Sequence, residues 1–362
     1  MDDWRRLEDL TLSEFESVAS KRVQERVWAY IQGGSGEERT LRANREAFLR
    51  RTVRPRALVD VSELDLRTPF LGHTTAAPFF VSPMAYQAEV HPDGEVGVAR
   101  AARDHGILAS YSTLSSNSLE DIATVSRSTP RWFQLYLQPD PLVGERLVQR
   151  AEAAEYSAVV LTVDTPVLGV RDRQTIGGFA MDSSVPIGNG GEVLPPARAP
   201  AQQGNVYRLR DEASQTWGVI DRLRSHTKLP IVVKGILSAE DARQALAHGA
   251  KGILVSNHGG RQLDGAPATL DVLPEVVTAV GKDAEVYVDG GARRGTDILI
   301  ALALGARGVG IGRPVLWALA VGGADGVRRY FELLKVELAT VMALAGVRSV
   351  AEIDRDVLRD PG

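Results

Sequence analysis

Residues 254–265 read LVSNHGGRQLDG, in which an apolar run ends at a glycine-rich stretch carrying His258 and Arg261. An imidazole moves protons near neutral pH, and a guanidinium pairs with a carboxylate through two parallel hydrogen bonds. The same ending recurs elsewhere. Lys234 closes the run IVVK, and burying its charge is expensive unless it meets an anion or an electron-rich ligand. Asp164 ends LTVD and is suited to orient a histidine and stabilise its protonated form. Gln134 and Tyr136 lie in WFQLYL. DGGARRG supplies Asp289, Gly291 and Arg293, and GIGRP supplies Gly312 and Arg313. Glycines that admit the backbone, followed by arginines, make a phosphate site. Each residue alone fits a solvated turn or a satisfied packing position, but their repetition after successive apolar runs points to one site.

Eight such runs occur, at 78–85, 106–112, 132–137, 158–164, 230–235, 252–257, 285–291 and 308–313. Each is nearly continuously apolar, as strands buried on both faces are. Helical patterns separate them, for example at 94–106, 141–155, 238–250 and 295–306. Ser238 with Asp241 marks a helix start, and Gly249 and Gly305 mark stops. This alternation predicts a parallel (β/α)8 barrel in the α/β class, forming one domain over 1–362. An open doubly wound sheet is disfavoured by the count and by the lack of GxGxxG after the first strand. Three segments fall outside the repeat: an N-terminal extension over 1–70 with two short helical patterns, a long Gly/Pro-rich loop over 172–212, and a helical tail over 322–362. The loop follows the fourth strand, so it is expected as a lid on the C-terminal rim, the catalytic face of such barrels. The phosphate motifs follow strands seven and eight, the usual place in this architecture.

Composition excludes several classes. The chain has 362 residues, 44% hydrophobic content, a net charge of −4 and no cysteine. Thiolate catalysis and disulfides are excluded, and no basic surface for nucleic acid is indicated. No His/Asp/Glu grouping has metal-ligand spacing, so no metal is expected. No apolar stretch is long enough to span a membrane, and MDDWRRLEDL lacks a signal peptide's apolar core, which leaves a cytoplasmic protein as the expectation. His73, His105, His226 and His248 are expected on turns or helices without partners.

SNHGGRQLDGAPATLDVLPEVV resembles the signature of the FMN-dependent α-hydroxy-acid oxidases and dehydrogenases. The resemblance extends through YIQGGSGEERTLRANREAF (30–48), SPMAYQ (82–87), WFQLY (132–136), LTVDTPVLGVR (161–171), VKGI (233–236), DGGARRGTDI (289–298) and GIGRPV (310–315). It thus covers nearly the whole chain and is nearest to the bacterial hydroxymandelate oxidases. The family implies FMN as cofactor, oxidation of an (S)-2-hydroxy acid to a 2-keto acid, and a homotetramer. It implies His258 as base, Asp164 as stabiliser of its imidazolium, and Arg261 and Arg171 as carboxylate clamp with Tyr30 beside them. Tyr136 would meet the substrate hydroxyl, and Lys234 the flavin N1/C2 edge. Pro83, Met84, Ala85, Ser112, Gln134, Thr162 and Ser256 would contact the isoalloxazine or ribityl. Asp289, Gly291, Arg293, Gly312 and Arg313 would hold ribityl and phosphate.

The sequence departs from the plant glycolate oxidases at three places. Met84 replaces a threonine, Val170 replaces an arginine, and Leu114 stands where a tryptophan covers the substrate. Losing that tryptophan predicts a bulky or aromatic substrate, mandelate-like rather than glycolate or lactate. Molecular oxygen is the expected acceptor, giving peroxide. No cytochrome-like segment precedes the barrel, the fourth-strand loop is polar, and Ala85 stands where the family's dehydrogenases carry glycine. Electron transfer to quinone or a carrier protein is the alternative. A flavin isomerase of the same fold is disfavoured by the His–x–x–Arg spacing, and a catalytically dead scaffold by the intact site set.

Overall fold

Eight parallel strands close into a barrel in the computed structural model, which describes residues 6–191, 193, 201–203, 206–208 and 214–359. They are β1 (Phe79–Val81), β2 (Ala109–Ser112), β3 (Arg131–Tyr136), β4 (Ala158–Thr162), β5 (Ile231–Ile236), β6 (Gly252–Val255), β7 (Glu285–Asp289) and β8 (Gly308–Ile311). The order is sequential, and β8 pairs with β1 to complete the ring. The strands are shorter than the apolar runs that announce them. β1 stops before Pro83, which has no N–H to give a ladder.

The pleat explains the site. Phe80, Trp132, Val160, Val232, Leu254 and Tyr287 form the barrel's inner core. Two residues further along the chain from each stand Ser82, Gln134, Thr162, Lys234, Ser256 and Asp289, with Ser82 and Ser256 just past their strand ends. A side-chain period of two keeps them on the inward face, one layer nearer the C-terminal rim. The N-terminal end is closed by a hairpin, Thr68–Phe70 with His73–Thr75, whose Phe70 meets Phe80 and Tyr287 edge to face. His73 therefore lies in a strand.

The helices α1 (Glu14–Ala19), α2 (Glu25–Gln32) and α3 (Arg39–Leu49) precede the barrel, so the N-terminal extension holds three helices where two patterns are legible. α4 (Gly94–His105), α5 (Leu119–Val125), α6 (Pro141–Ala153), a short α7 (Asp172–Ile176), α8 (Gly218–His226), α9 (Ala239–Ala247), α10 (Thr269–Val280) and α11 (Gly295–Ala303) follow their strands. Ser238 caps α9 by accepting from the Asp241 N–H at 3.1 Å, as its sequence position indicates. α12 (Arg313–Ala345) starts at the end of β8 and kinks at Gly322 and Gly323, so the tail begins inside a helix that opens at the site. Leu358–Arg359 then pairs with Thr52–Val53 and ties the two ends of the chain together. Part of the 172–212 loop lies outside the described residues. No helix among the described residues is long and apolar enough to cross a membrane.

Candidate active site

A cavity of about 440 Å³ opens at the C-terminal rim. Tyr30, Pro83, Met84, Ala85, Leu114, Tyr136, Arg171, Lys234, His258, Arg261, Asp289, Gly291, Arg293, Gly312 and Arg313 all line it, so the structure gathers these expected residues in one place.

His258 anchors the reactive end. Its Nδ1 lies 2.9 Å from Asp164 Oδ1, and its Nε2 lies 3.3 Å from Tyr136 Oη. A carboxylate behind Nδ1 fixes the proton there, so Nε2 is left as the acceptor facing the cavity. Burial holds the His258 imidazole below the usual 6.5. Asp164 opposes that, and the Lys234 ammonium adds to it. Burial alone would raise Asp164, but the His258 and Lys234 charges bring its carboxyl below 3.8. The ground state is therefore a neutral base backed by an ionised carboxylate. Burial raises the Tyr136 phenol, so it stays a hydroxyl.

Local chain geometry brings Asp164 and Lys234 together. The β5–β6 register shifts between Lys234 and Ile236, and the intervening Gly235 has φ +108°. A Cβ there would lie 2.6 Å from that of Asp164, so only glycine lets the two strand ends come so close. Lys234 is 4% exposed, and no described residue pairs with its ammonium at ion-pair distance.

Four arginines share the cavity, and no carboxylate among the described residues lies within ion-pair distance of them. Arg261 donates from Nη1 to the Tyr30 and Gly33 carbonyls, 2.7 Å each, and its guanidinium lies 4.9 Å from the Tyr30 ring centroid. Burial, then the charge of Arg171, pushes its pKa down to about 9. Arg171 reaches the Arg261 carbonyl at 3.2 Å and Gln262 Oε1 at 3.3 Å, and burial lowers it as well. Arg293 packs over Trp317. Arg313 donates to the Ile31, Gly259 and Gly33 carbonyls, which ties β8 to α2 and to the His258 loop. Buried cations without counter-charges bind anions, and here they form two groups: Arg171 with Arg261 near His258, and Arg293 with Arg313 beside the β7 and β8 glycines.

The remaining expected residues stand deeper. Ser112, Gln134 and Thr162 form a buried chain across β2, β3 and β4: Ser112 Oγ meets Gln134 Oε1 at 2.9 Å, and Gln134 Nε2 donates to Thr162 Oγ1 at 3.0 Å. Ser256 is fully buried and accepts from the His258 N–H at 3.1 Å, so it shapes the catalytic turn. None of these four lines the 440 Å³ cavity, and Thr162 borders a neighbouring one. The rim residues nevertheless fit FMN. Among the described residues Asp289 Oδ1 is buried without a hydrogen-bond partner and no carboxylate lies at ion-pair distance from the Lys234 ammonium, and a Cβ at Gly310 would lie 2.4 Å from Ser82 Oγ. Asp289, Gly291, Arg293 and Gly312 would hold ribityl and phosphate, with Lys234 toward the ring.

Sequence reading missed part of the wall. Leu168, Gln174, Phe179, Met181 and Leu316 also line the cavity, and the Phe179 ring stacks on Tyr30 at 4.4 Å. Phe179 and Met181 lie in a glycine-rich segment with no periodicity to mark them. Two histidines expected to be free have partners: His248 Nδ1 is 2.5 Å from Asp221, and His226 Nε2 is 3.5 Å from Glu145.

Asp264 serves the loop rather than the chemistry. Its Oδ1 accepts from the Thr40 N–H at 2.9 Å, at the first turn of α3, and the carboxylate faces the N–H groups of Glu37, Gly265 and Arg39. Burial would raise its pKa, but these donors hold it below 3.8. Asp264→Ala should destabilise the protein by about 1–2 kcal/mol, as loss of a cap does. Because the folded-state pKa is depressed, the wild-type contribution is present above pH 3.8 and is lost as pH falls through the folded value. Urea unfolding of both proteins at neutral and acid pH checks this, since the difference between them should shrink in acid.

The sequence model of the FMN-dependent dehydrogenase family matches residues 19–360, and the chain belongs to that family. It is 45% identical over 358 residues to the L-lactate oxidase of Nostoc sp., covering 96% of this chain and 98% of that one. It is also 45% identical over 348 residues to the 4-hydroxymandelate oxidase of Amycolatopsis orientalis, covering 96% and 97%. A solved mandelate oxidase with benzoyl-formic acid superposes with a TM-score of 0.87 at 45% identity, covering 96% and 97%. The (β/α)8 barrel and the FMN dependence follow from that membership.

Proposed function

We propose that this chain oxidises (S)-2-hydroxy acids carrying a bulky or aromatic side chain to 2-keto acids, and passes the electrons to molecular oxygen with release of peroxide. The observation that carries the reading is a His258 imidazole backed by Asp164 at Nδ1, with Nε2 beside Tyr136, on one cavity with two buried arginines that no carboxylate among the described residues pairs. Arg261 and Arg171 bind the substrate carboxylate, with Tyr30 at the same wall. Tyr136 meets the substrate hydroxyl. His258 Nε2 takes a proton, the hydroxyl proton if the α-hydrogen leaves as hydride and the α-proton otherwise. The resulting imidazolium is stabilised by Asp164. FMN, when bound, supplies the two-electron acceptor. Lys234 provides the positive charge that favours an electron-rich ring.

The side-chain preference rests on an apolar wall of Met84, Leu114, Leu168, Phe179 and Met181 around the clamp. Two of the similar proteins reported above are named for aromatic hydroxy acids. Burying a phenyl ring rather than a hydrogen contributes about 1.5–3 kcal/mol, so kcat/KM for (S)-mandelate should exceed that for glycolate by about 10- to 100-fold. Steady-state kinetics in air with peroxide detection checks both parts. A preference for glycolate or lactate overturns the substrate assignment, and a peroxide yield far below one per turnover favours a quinone or carrier protein. Val170, Ile176 and Leu263 expose apolar side chains within two residues of the cavity-lining Arg171, Gln174 and Arg261, which supports a homo-oligomer, a tetramer by family resemblance.

A further inference from the structure

We infer that Asn44, on α3 and outside the cavity wall, is a positioning residue for His258 and acts through Asn257. The two side chains form a reciprocal amide pair. Asn44 Nδ2 donates to Asn257 Oδ1 at 2.8 Å, and Asn257 Nδ2 donates to Asn44 Oδ1 at 2.7 Å. Both residues are buried, at 1% and 4% exposure. Asn257 spends its remaining capacity on its own loop: Oδ1 accepts from the Gly260 N–H at 3.0 Å, and Nδ2 donates to the Pro267 carbonyl at 3.0 Å. Asn44 Oδ1 also accepts from the Thr269 N–H at 3.2 Å, at the first residue of α10.

The pair therefore clasps the turn that carries the base. His258 lies between Asn257 and Gly260 and has φ +58°, the left-handed region that costs a non-glycine residue energy. A turn held in that state needs surrounding contacts that define it, and the Asn257 Oδ1 bond to Gly260 spans it. Removing Asn44 leaves the Asn257 amide with a buried donor and a buried acceptor each short of a partner, which favours rearrangement of the turn. Arg261 is anchored separately, to the Tyr30 and Gly33 carbonyls. Loosening the pair should thus move His258 relative to Asp164 and Tyr136 while the carboxylate clamp stays in place.

The inference rests on His258 being the base. The test compares Asn44→Ala, the milder Asn44→Ser, Asn257→Ala and the double Ala variant as flavin-loaded proteins. Flavin content, Tm, kcat per bound flavin, KM for a 2-hydroxy acid and the pH profile of kcat/KM are measured. The expected result is a fall in kcat per flavin of about tenfold or more in the Asn44 variants, with KM changed less than about threefold. The acid limb should move to lower pH as the imidazole loses Asp164. The double variant should be no slower than Asn257→Ala, as for groups acting as one unit. Folded Asn44 variants with kcat per flavin within about twofold of wild type would overturn the inference, whatever their Tm. So would kcat and KM worsening together with no movement of the acid limb. Failure of the underlying reading is distinguishable, because it appears as His258→Gln retaining activity.

Discussion

Replacing His258 with glutamine should lower kcat by about 10²–10⁴-fold, the range for removal of a positioned general base. Glutamine keeps an amide near Asp164 and Tyr136, so the cavity keeps its shape, but it offers no basic nitrogen. Flavin content should be unchanged, since Asp289 and Lys234 stand on other strands and Arg293 in the loop that follows β7. The wild-type pH profile sharpens the expectation. The neutral imidazole is the active form. Burial, opposed by Asp164, holds it below 6.5, so kcat/KM should persist into mild acid and fall only below that value as Nε2 is protonated. His258→Gln should abolish that limb. Asp164→Asn should slow the reaction and shift the limb further toward acid, because the carboxylate that raises the imidazole is gone. A pH series of kcat/KM for the three proteins checks all of this.

Arg261→Lys should cost about 2–4 kcal/mol in kcat/KM, roughly 30- to 1,000-fold, the penalty for losing one partner of a buried charged pair. The charge survives, but the fork does not. Lysine cannot hold the Tyr30 and Gly33 carbonyls and still present two parallel donors to a carboxylate, and the packing over the Tyr30 ring is lost. A second reading isolates the clamp. Wild type should favour a 2-hydroxy acid strongly over its neutral 2-hydroxy amide, and in Arg261→Lys that discrimination should shrink. Competition assays with the acid and the amide measure it.

How far the sequence foretells this site depends on the kind of information each part needs. The strands are legible because burial on both faces makes their runs continuously apolar. The inward polar layer is legible because a pleat of period two carries Gln134, Lys234 and Asp289 to the rim just past Trp132, Val232 and Tyr287. His258 and Arg261 follow from the same argument plus chemistry. The exact strand limits are not legible, since runs such as PFFVSPMA continue apolar after the ladder ends. Phe179 and Met181 are not legible either. They reach the cavity through an irregular segment, and tertiary placement decides which of its residues turns inward. Arg313 reads as a phosphate ligand, yet its guanidinium also grips carbonyls of Ile31, Gly33 and Gly259, from segments far away in sequence. The Asn44–Asn257 pair spans 213 positions, and no local pattern joins its members.

The most direct test of the central claim is anaerobic. The purified flavin-loaded protein is mixed with (S)-mandelate in the absence of oxygen, and the flavin band near roughly 450 nm is followed with time. The band should bleach fully at a rate that saturates with substrate, one 2-keto acid should form per flavin, and His258→Gln should bleach at least about 100-fold more slowly. A flavin that keeps its colour with (S)-mandelate, lactate and glycolate alike, or that bleaches equally fast without His258, would contradict the account.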